Sequence, residues 1–295
     1  MTTVGQLVFS GILIGSIYAL MSVGLTLVFG VLRVVNFAHG EFLMIAMYGA
    51  WGATRLLGLN PYLAIVAVVP AMFLFGAIVH RLIVAPALDK PHLVVVFATM
   101  GLSILMQNVA LMLMSADLFD VPPLLGGRSW MVGPFYAKPE LVIGFAVSVG
   151  CTLALRWMLK STYLGKAIRA TVQDGEAAQL MGIPVPRIFL ITFAAGSALV
   201  GLAACIMTPL FSVFPTVGLN FVLIAFVIVV LGGMGSIEGA LIGGLAVGVV
   251  QSVSSYYIAP AYGQMFLFVL FLLVMIVRPS GLLGQKGTAN LGIND

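Results

Sequence analysis

The chain has 295 residues, of which 13 are Lys or Arg and 9 are Asp or Glu. Charged residues make up 7% of the sequence, against about a quarter in ordinary soluble domains, and 62% of the residues are hydrophobic. This excludes a soluble globular domain, because one core cannot hide so much apolar surface, whereas a lipid bilayer accepts it. The net charge of +4 does not indicate nucleic acid as a partner, because most basic residues flank apolar stretches and would orient them in a membrane.

Charge-free stretches mark four of the first five candidate membrane spans, and residues 37–57 are the exception. Residues 7–31 exceed the roughly 20 residues that a helix needs to cross about 30 Å of hydrocarbon. We expect this first span to be retained, because it lacks the basic start and the small-residue cleavage site of a signal peptide. The next candidates are residues 37–57, 56–80, 91–116 and 141–155.

Two later charge-free stretches, residues 188–237 and 239–277, are too long for a single crossing. Pro209 and Pro215 predict a break in the first stretch, and Pro260 predicts one in the second, because proline interrupts the hydrogen bonding of a helix. Nine candidate spans result. We therefore predict an all-α polytopic membrane protein with about eight to ten transmembrane helices, including broken or half helices, in a single domain over residues 1–295.

A positively charged segment between the fifth and sixth candidates predicts the orientation of the chain. The positive-inside rule places such a segment in the cytoplasm. Residues 80–92 and the C-terminal tail then also lie on the cytoplasmic side, and residues 117–139 lie outside. Counting spans puts the N-terminus outside, unless one candidate crosses only half of the membrane. The basic residues of this segment are Arg156, Lys160, Lys166, Arg169 and Arg187.

Several classes of chemistry are excluded by missing motifs. Gly165-Lys166 lacks the preceding glycine that a phosphate-binding loop requires. His39, His80 and His92 have no metal-ligand spacing, so no metal site is predicted. Few ionisable groups lie within the candidate spans, which argues against a carrier driven by protons or sodium ions. Transport with an external energy source, or a scaffolding role, remains.

A polar break follows the first candidate span and contains Asn36, His39 and Glu41. Only 13 residues separate Glu41 from Arg55, so we expect the second helix to begin inside the membrane, with Asn36 as its N-cap. A buried helix N-terminus presents free N–H groups and a positive dipole end, which suit the carboxylate of a solute. We therefore predict that these three polar residues lie in the substrate pathway or its gate. The alternative is a surface loop with a hydrated Glu41.

A second, glycine-rich break precedes Glu238 and resembles the first. Interrupted segments in both halves of a transporter are typical of a pseudo-symmetric repeat. Glu238 fits a place in the substrate pathway and a purely structural role equally well. For glycines at four-residue spacing we expect close helix packing. These glycines are Gly11 and Gly15 in the first span and Gly235, Gly239 and Gly243, predicted to share one face, after the second break.

The least lipid-like segment covers residues 160–187. Asp174 is predicted to cap a short helix with Glu176 in its first turn, and Gly182 followed by Pro184 is predicted to end it. A helix with so defined a start and end on the cytoplasmic side suits docking of another protein, and the alternative is a plain connector. The residues expected to be exposed on this docking surface are Ala177, Ala178 and Met181.

Three motifs together resemble one known family. Residues 24–42, Gly-Leu-Thr-Leu-Val-Phe-Gly-Val-Leu-Arg-Val-Val-Asn-Phe-Ala-His-Gly-Glu-Phe, resemble the hallmark of the LivH-type permease subunits of branched-chain amino acid ABC transporters. Residues 176–182, Glu-Ala-Ala-x-x-x-Gly, resemble the coupling loop through which ABC permeases contact their ATPases. Residues 232–239 are similar to the late glycine motif of the family. The Ile-x-Leu-Pro ending of the general ABC pattern is absent, because Thr-Phe-Ala-Ala occupies residues 192–195.

The resemblance implies a pore-forming subunit of the bacterial inner (plasma) membrane. Its implied partners are a second, LivM-like permease subunit, two LivG/LivF-like ATPase subunits and a periplasmic substrate-binding protein. ATP and Mg would be bound by the ATPase subunits, and no cofactor by this chain, which would not itself be an enzyme. The implied solutes are branched-chain, hydrophobic amino acids, although related permeases carry urea, amides or aromatic acids. A carrier or channel working alone is the alternative from another class, and a membrane scaffold is the third.

Overall fold

The computed structural model describes residues 3–58, 60–123, 129–259, 262–278 and 281–284. This part of the chain is almost entirely helical, with one antiparallel hairpin formed by β1 (Trp130–Val132) and β2 (Phe135–Ala137). A π-helical turn, His80–Val84, joins α3 to α4. The helices are α1 (Thr3–Leu32), α2 (His39–Leu57), α3 (Ile65–Val79), α4 (Ala85–Leu88), α5 (His92–Met114), α6 (Pro139–Ser161), α7 (Tyr163–Gln173), α8 (Gly175–Leu180), α9 (Val185–Met207), α10 (Val217–Gly232), α11 (Ile237–Tyr257) and α12 (Gly263–Val277).

The apolar helices match the predicted spans. Within the described residues, six helices are long and apolar enough to cross a membrane, namely α1, the run from α3 through α4, α5, α6, α9 and α11. The shorter apolar helices α10 and α12 and the 19-residue α2 complete the set. The break at Pro209 and Pro215 is confirmed, since α9 ends at Met207 and α10 begins at Val217. Pro260 lies outside the described residues, between the end of α11 and the start of α12.

Contacts between helix ends and loops define two ends of the bundle. At the end that carries the β-hairpin, the side-chain oxygen of Gln6 accepts a hydrogen bond from the backbone N–H of Tyr136 at 3.0 Å. At the opposite end, the guanidinium of Arg33 donates to the backbone carbonyl of Val172 in α7 at 3.1 Å. The positive-inside rule makes the α7 end cytoplasmic. By the same rule, the start of α1 lies at the outer end.

Two helices begin inside the bundle rather than at either end. At the start of α2, the side chain of His39 is 1% exposed and its Nε2 lies 3.1 Å from the carbonyl oxygen of Met21, well inside α1. At the start of α10, Gly218 packs against Gly40 so closely that a Cβ on either would collide with the carbonyl oxygen of the other. The expected broken helices are therefore α2 and α10, and their N-termini meet in the interior.

These contacts have the pattern expected of an inverted internal repeat. Close contacts of matching geometry join α1 to α9 and α2 to α10. A Cβ on Gly24 would lie 2.7 Å from the carbonyl oxygen of Gly196, and a Cβ on Gly196 would lie 2.8 Å from the carbonyl oxygen of Gly24. In the same way α1 packs on α11 while α9 packs on α3. Since α1 ends at the α7 end of the bundle and α9 begins there, the two halves run in opposite directions. Such repeats are typical of transporters.

The contacts between the halves differ from the match that the sequence suggests. The sequence suggests that the break before Glu238 is the counterpart of the break before Glu41. In the structure the counterpart of Gly40 is Gly218, which puts Leu219 at the position of Glu41. The glycine-rich break before Glu238 instead connects α10 to α11. The glycines shared by the two breaks do not identify them as counterparts, because a glycine can serve either close helix packing or a turn.

Glycines bring α1 and α11 into backbone contact. A Cβ on Gly11 would lie 2.6 Å from the Cα of Val249, and a Cβ on Gly15 would lie 3.1 Å from the Cα of Gly248. Glycine is required at such crossings because any side chain would separate the helices. The structure therefore places Gly11 and Gly15 where close packing is expected.

The predicted face of Gly235, Gly239 and Gly243 is only partly correct. Gly239 and Gly243 lie in α11 and face α10, with a Cβ on Gly243 3.1 Å from the carbonyl oxygen of Ile228. Gly235 is not in the helix, because α11 begins at Ile237. It has a φ of +87° in the preceding turn, which glycine adopts without strain, and it approaches Gly30 of α1.

Candidate functional site

The chain enters the interior through a short extended segment between α1 and α2. The side-chain Oδ1 of Asn36 accepts a hydrogen bond from the backbone N–H of Ala38 at 3.1 Å, which closes a tight turn. The prediction that Asn36 is the N-cap is wrong, since the N-cap is Ala38, without a side-chain hydrogen bond. The reason is local: the Asn36 side chain is already used in the turn, so the helix begins two residues later.

Glu41 is a buried carboxylate in the first turn of α2. Its side chain is 1% exposed, and its Oε1 accepts a hydrogen bond from the side-chain Nε2 of Gln107 at 2.6 Å. Its other oxygen, Oε2, is shielded from solvent and has no hydrogen-bond partner among the described residues. The alternative of a hydrated Glu41 in a surface loop is therefore wrong. A buried acceptor without a partner is costly, and ionisable groups inside a membrane are functional by default.

A polar stripe on α5, formed by Thr99, Ser103 and Gln107, faces this region. Gln107 also donates to the hydroxyl of Ser103 at 3.3 Å, and the Thr99 hydroxyl accepts from the backbone N–H of Phe37 at 3.4 Å. This stripe is not among the features predicted from the sequence. The available signal is its four-residue spacing within an otherwise apolar span, which puts the three side chains on one helix face.

The arrangement has unused hydrogen-bonding capacity. Glu41 offers a free carboxylate oxygen, which suits a donor such as an ammonium group. Nearby, His39 is held by the carbonyl of Met21 on the opposite side of the first turn. The structure thus brings Asn36, His39 and Glu41 together at the buried start of α2.

Glu238 lies apart from this cluster. Its Oε1 is 2.8 Å from the Nε of Arg156 in α6, and the two side chains are 50% and 53% exposed. Such a half-exposed ion pair contributes little to stability. The pair lies at the α7 end of the bundle, so Glu238 does not share the buried site of Glu41.

The cytoplasmic segment folds as two short helices, each with a side-chain cap at its start, where a single helix capped by Asp174 was predicted. The hydroxyl of Thr162 accepts from the backbone N–H of Gly165 at the start of α7. Oδ1 of Asp174 accepts from the backbone N–H of Ala177 at 2.9 Å at the start of α8. Gly182 follows α8 with a φ of +83°. The predicted capping by Asp174 and the predicted end of the helix are confirmed.

The exposed surface of α8 differs in one residue from the prediction. Ala177 and Met181 are exposed, but Ala178 is 5% exposed and thus buried, because α8 packs against the start of α9 on that side. The prominent apolar groups are Leu180, 89% exposed, and Met181, 83% exposed. Leu180 was missed because its exposure depends on how α8 turns against α9.

A cavity of about 530 Å³ separates α8 from the end of α1. Arg33 and Phe189 line it together with the capping residue Asp174 and with Glu176. The backbone of Arg33 has a φ of +55°, an uncommon conformation for a non-glycine residue. This residue therefore joins three features: the end of α1, the cytoplasmic helices and the segment that leads to Glu41.

Metal binding finds no support in the described part of the chain. Across residues 3–58, 60–123, 129–259, 262–278 and 281–284, no group of three His, Cys, Asp or Glu side chains could hold a metal ion.

Comparison with known proteins gives consistent matches over most of the chain. A family model described as the permease component of branched-chain amino acid transport systems matches residues 7–275. The high-affinity branched-chain amino acid transport system permease protein LivH of Salmonella typhimurium is 32% identical over 95% of this chain and 95% of its own length. The corresponding permease protein BraD of Pseudomonas aeruginosa is 32% identical with the same coverage.

A solved structure shares the fold. PsaBC from Streptococcus pneumoniae in complex with Fab matches with a TM-score of 0.51 and covers 94% of this chain and 92% of the matched chain. The sequence identity is 16%, so this likeness concerns the fold alone.

Proposed function

We propose that this chain, which belongs to the family of permease components of branched-chain amino acid transport systems, forms the conduit of an ABC importer. The proposed solutes are branched-chain, hydrophobic amino acids. The chain is a multi-pass protein of the inner membrane. In this proposal residues 1–295 act as one permease domain, and residues 160–187 act as its coupling segment.

The energy comes from partner subunits in this proposal. Two LivG/LivF-like ATPase subunits bind ATP and Mg and dock against α8, where Glu176, Ala177 and Met181 are exposed. Asp174 caps this helix and Gly182 ends it, so the docking element has a defined shape. A second, LivM-like permease subunit completes the membrane part, and a periplasmic substrate-binding protein delivers the solute.

The solute passes the buried start of α2 in this proposal. An amino acid offers an ammonium group, and the free oxygen of Glu41 is an acceptor for it. Because the N-termini of α2 and α10 meet at Gly40 and Gly218, a small movement of one repeat against the other opens or closes the interior at that junction. ATP binding to the partner subunits drives this alternation.

The observation that carries the proposal is a buried carboxylate with one free oxygen in the first turn of a broken transmembrane helix. The test is leucine uptake into vesicles that contain the complete complex, with its binding protein and ATP. We expect Glu41→Gln to lower uptake roughly tenfold, because the ammonium then meets a neutral amide oxygen instead of a carboxylate. His39→Ala lowers uptake as well, and both variants assemble normally.

Normal uptake by both variants would remove the start of α2 from the pathway. Uptake that persists without ATP and without partner subunits would instead support a carrier working alone. Stimulation of ATP hydrolysis by the binding protein, measured with leucine, isoleucine, valine, urea, amides and aromatic acids, identifies the class of solute.

A further inference from the structure

A second cavity, of about 370 Å³, lies near the outer end of the bundle between α1, α10, α11 and α12. Each of the four helices contributes one polar side chain to its lining, and none of the described residues that line it is charged. Neutral carboxamides that converge from three helices are unusual in such an apolar chain and point to a polar ligand. The four side chains are Tyr18, Asn220, Gln251 and Gln264.

Gln251 provides an acceptor that lacks a donor. Its Oε1 is shielded from solvent and has no hydrogen-bond partner among the described residues. A buried amide oxygen without a donor is unfavourable, and a ligand N–H group would satisfy it. Gln251 lies in α11 and lines the cavity.

Aromatic rings surround the same space. The rings of Phe211 and Phe221 meet edge to face with centroids 5.1 Å apart, and Tyr18 lies 6.1 Å from Phe221. Aromatic faces attract cations. Together with the oxygen of Gln251, they suit an ammonium group better than a neutral sugar.

The remaining lining suits the other parts of an amino acid. The side-chain NH₂ groups of Asn220 and Gln264 are donors for a carboxylate. Ile224 and Leu118 add apolar surface for an aliphatic side chain. Val217 also lines the cavity and directly precedes Gly218, which packs against Gly40. The cavity therefore lies on the outer side of the junction between α2 and α10.

We infer that this cavity binds a zwitterionic amino acid with an apolar side chain, as a site that the solute occupies before it reaches Glu41. The inference rests on the proposed function and adds to it an intrachain binding site. It predicts that the permease itself selects the solute, independently of the binding protein.

The test is equilibrium binding of radiolabelled leucine to the purified complex of this chain with its partner subunits, in the absence of the binding protein. We expect saturable binding by the wild-type complex. Gln251→Leu weakens leucine binding at least tenfold. The control Asn108→Leu leaves leucine binding unchanged, because the Asn108 side chain lies on an exposed face of α5 and donates to the backbone carbonyl of Ile104 in its own helix. Absence of wild-type binding, or equal affinity in Gln251→Leu, overturns the inference.

A competition experiment on the wild-type complex tests the same site without depending on the folding of a variant. Unlabelled leucine displaces the label, whereas N-acetyl-leucine, which lacks the ammonium, and leucinamide, which lacks the carboxylate, do not. Equal displacement by all three compounds overturns the zwitterion site. ATP-dependent uptake with the binding protein is measured on the same preparation: uptake without intrachain binding refutes this inference alone, and absence of uptake refutes the proposed function.

Discussion

Gln107 is the hydrogen-bond donor that holds the buried carboxylate of Glu41, at 2.6 Å. Replacing it by leucine leaves that carboxylate with no donor among the described residues. We expect Gln107→Leu to destabilise the complex by about 1.5–3 kcal/mol, the range for hydrogen bonds to charged groups. Asn108→Leu is the matched control, since it removes an exposed amide from the next position of the same helix. Thermal unfolding of the detergent-purified complex measures both.

A double-mutant cycle separates the interaction from general packing damage. In a Glu41→Gln background the carboxyl group is gone, so adding Gln107→Leu costs less than it does in the wild type. Equal cost in both backgrounds would show that Gln107 acts through packing rather than through the Glu41 carboxylate.

The same two amides show what the sequence can and cannot predict at this scale. Glu41 was identified from the sequence, because a charge so close to the start of an apolar run has few explanations. Gln107 and Asn108 are chemically alike neighbours, yet the first contacts Glu41 and the second its own helix. Which of them points inward depends on the rotation of α5 against α2, and that is set by packing between distant parts of the chain.

At the scale of helices, the glycines of α1 decide how closely it packs on α11. A Cβ on Gly15 would lie 2.5 Å from the carbonyl oxygen of Gly244 and 3.1 Å from the Cα of Leu245. We expect Gly15→Ala to destabilise the protein by about 1–3 kcal/mol, the usual cost of overpacking. Gly150→Ala in α6 is the control, because a Cβ there has nothing within 4 Å. A melting temperature equally unaffected in both variants would contradict the backbone contact.

Arg33 links the end of α1 to the cytoplasmic helices. It donates to the carbonyl of Val172 and begins the segment that leads into α2. Arg33→Gly preserves the left-handed backbone at φ +55° but removes the hydrogen bond. We expect this variant to hydrolyse more ATP per leucine imported, and Arg33→Lys to recover part of the loss. Wild-type coupling in Arg33→Gly, measured as the ratio of hydrolysis to uptake, would exclude this role.

Local capping was predictable and tertiary burial was not. The Asp174 cap depends on a residue and its neighbour three positions on, so the sequence contains all that it needs. The N-cap of α2 was misplaced at Asn36, because an Asn side chain can equally well close a turn before the helix starts. Burial of Ala178 depends on α9, which the segment itself does not encode.

At the scale of the whole molecule, nine spans and their breaks follow from charge spacing and proline, because the bilayer imposes a length on every crossing. Interrupted segments predict a pseudo-symmetric repeat, but they do not predict which helices of the two halves meet. The pairing of Gly40 with Gly218 is a contact between distant residues, and no local pattern distinguishes it from the glycine-rich connection before Glu238. The number and length of the crossings can therefore be predicted from the sequence, because the membrane imposes them. The contacts between helices cannot.

The two ends of the molecule have different partners in the proposed importer, and charge reversal tests this directly. Glu176 is exposed in the first turn of α8, at the end predicted to be cytoplasmic. We expect Glu176→Arg to prevent copurification of the ATPase subunits, because it reverses a charge within the docking surface. Asp120→Arg makes the same change at an exposed position near the outer end, and there the ATPase subunits remain bound. If Asp120→Arg releases the ATPase subunits and Glu176→Arg retains them, the orientation is inverted. If both retain them, α8 is a connector, and the energy for transport enters elsewhere.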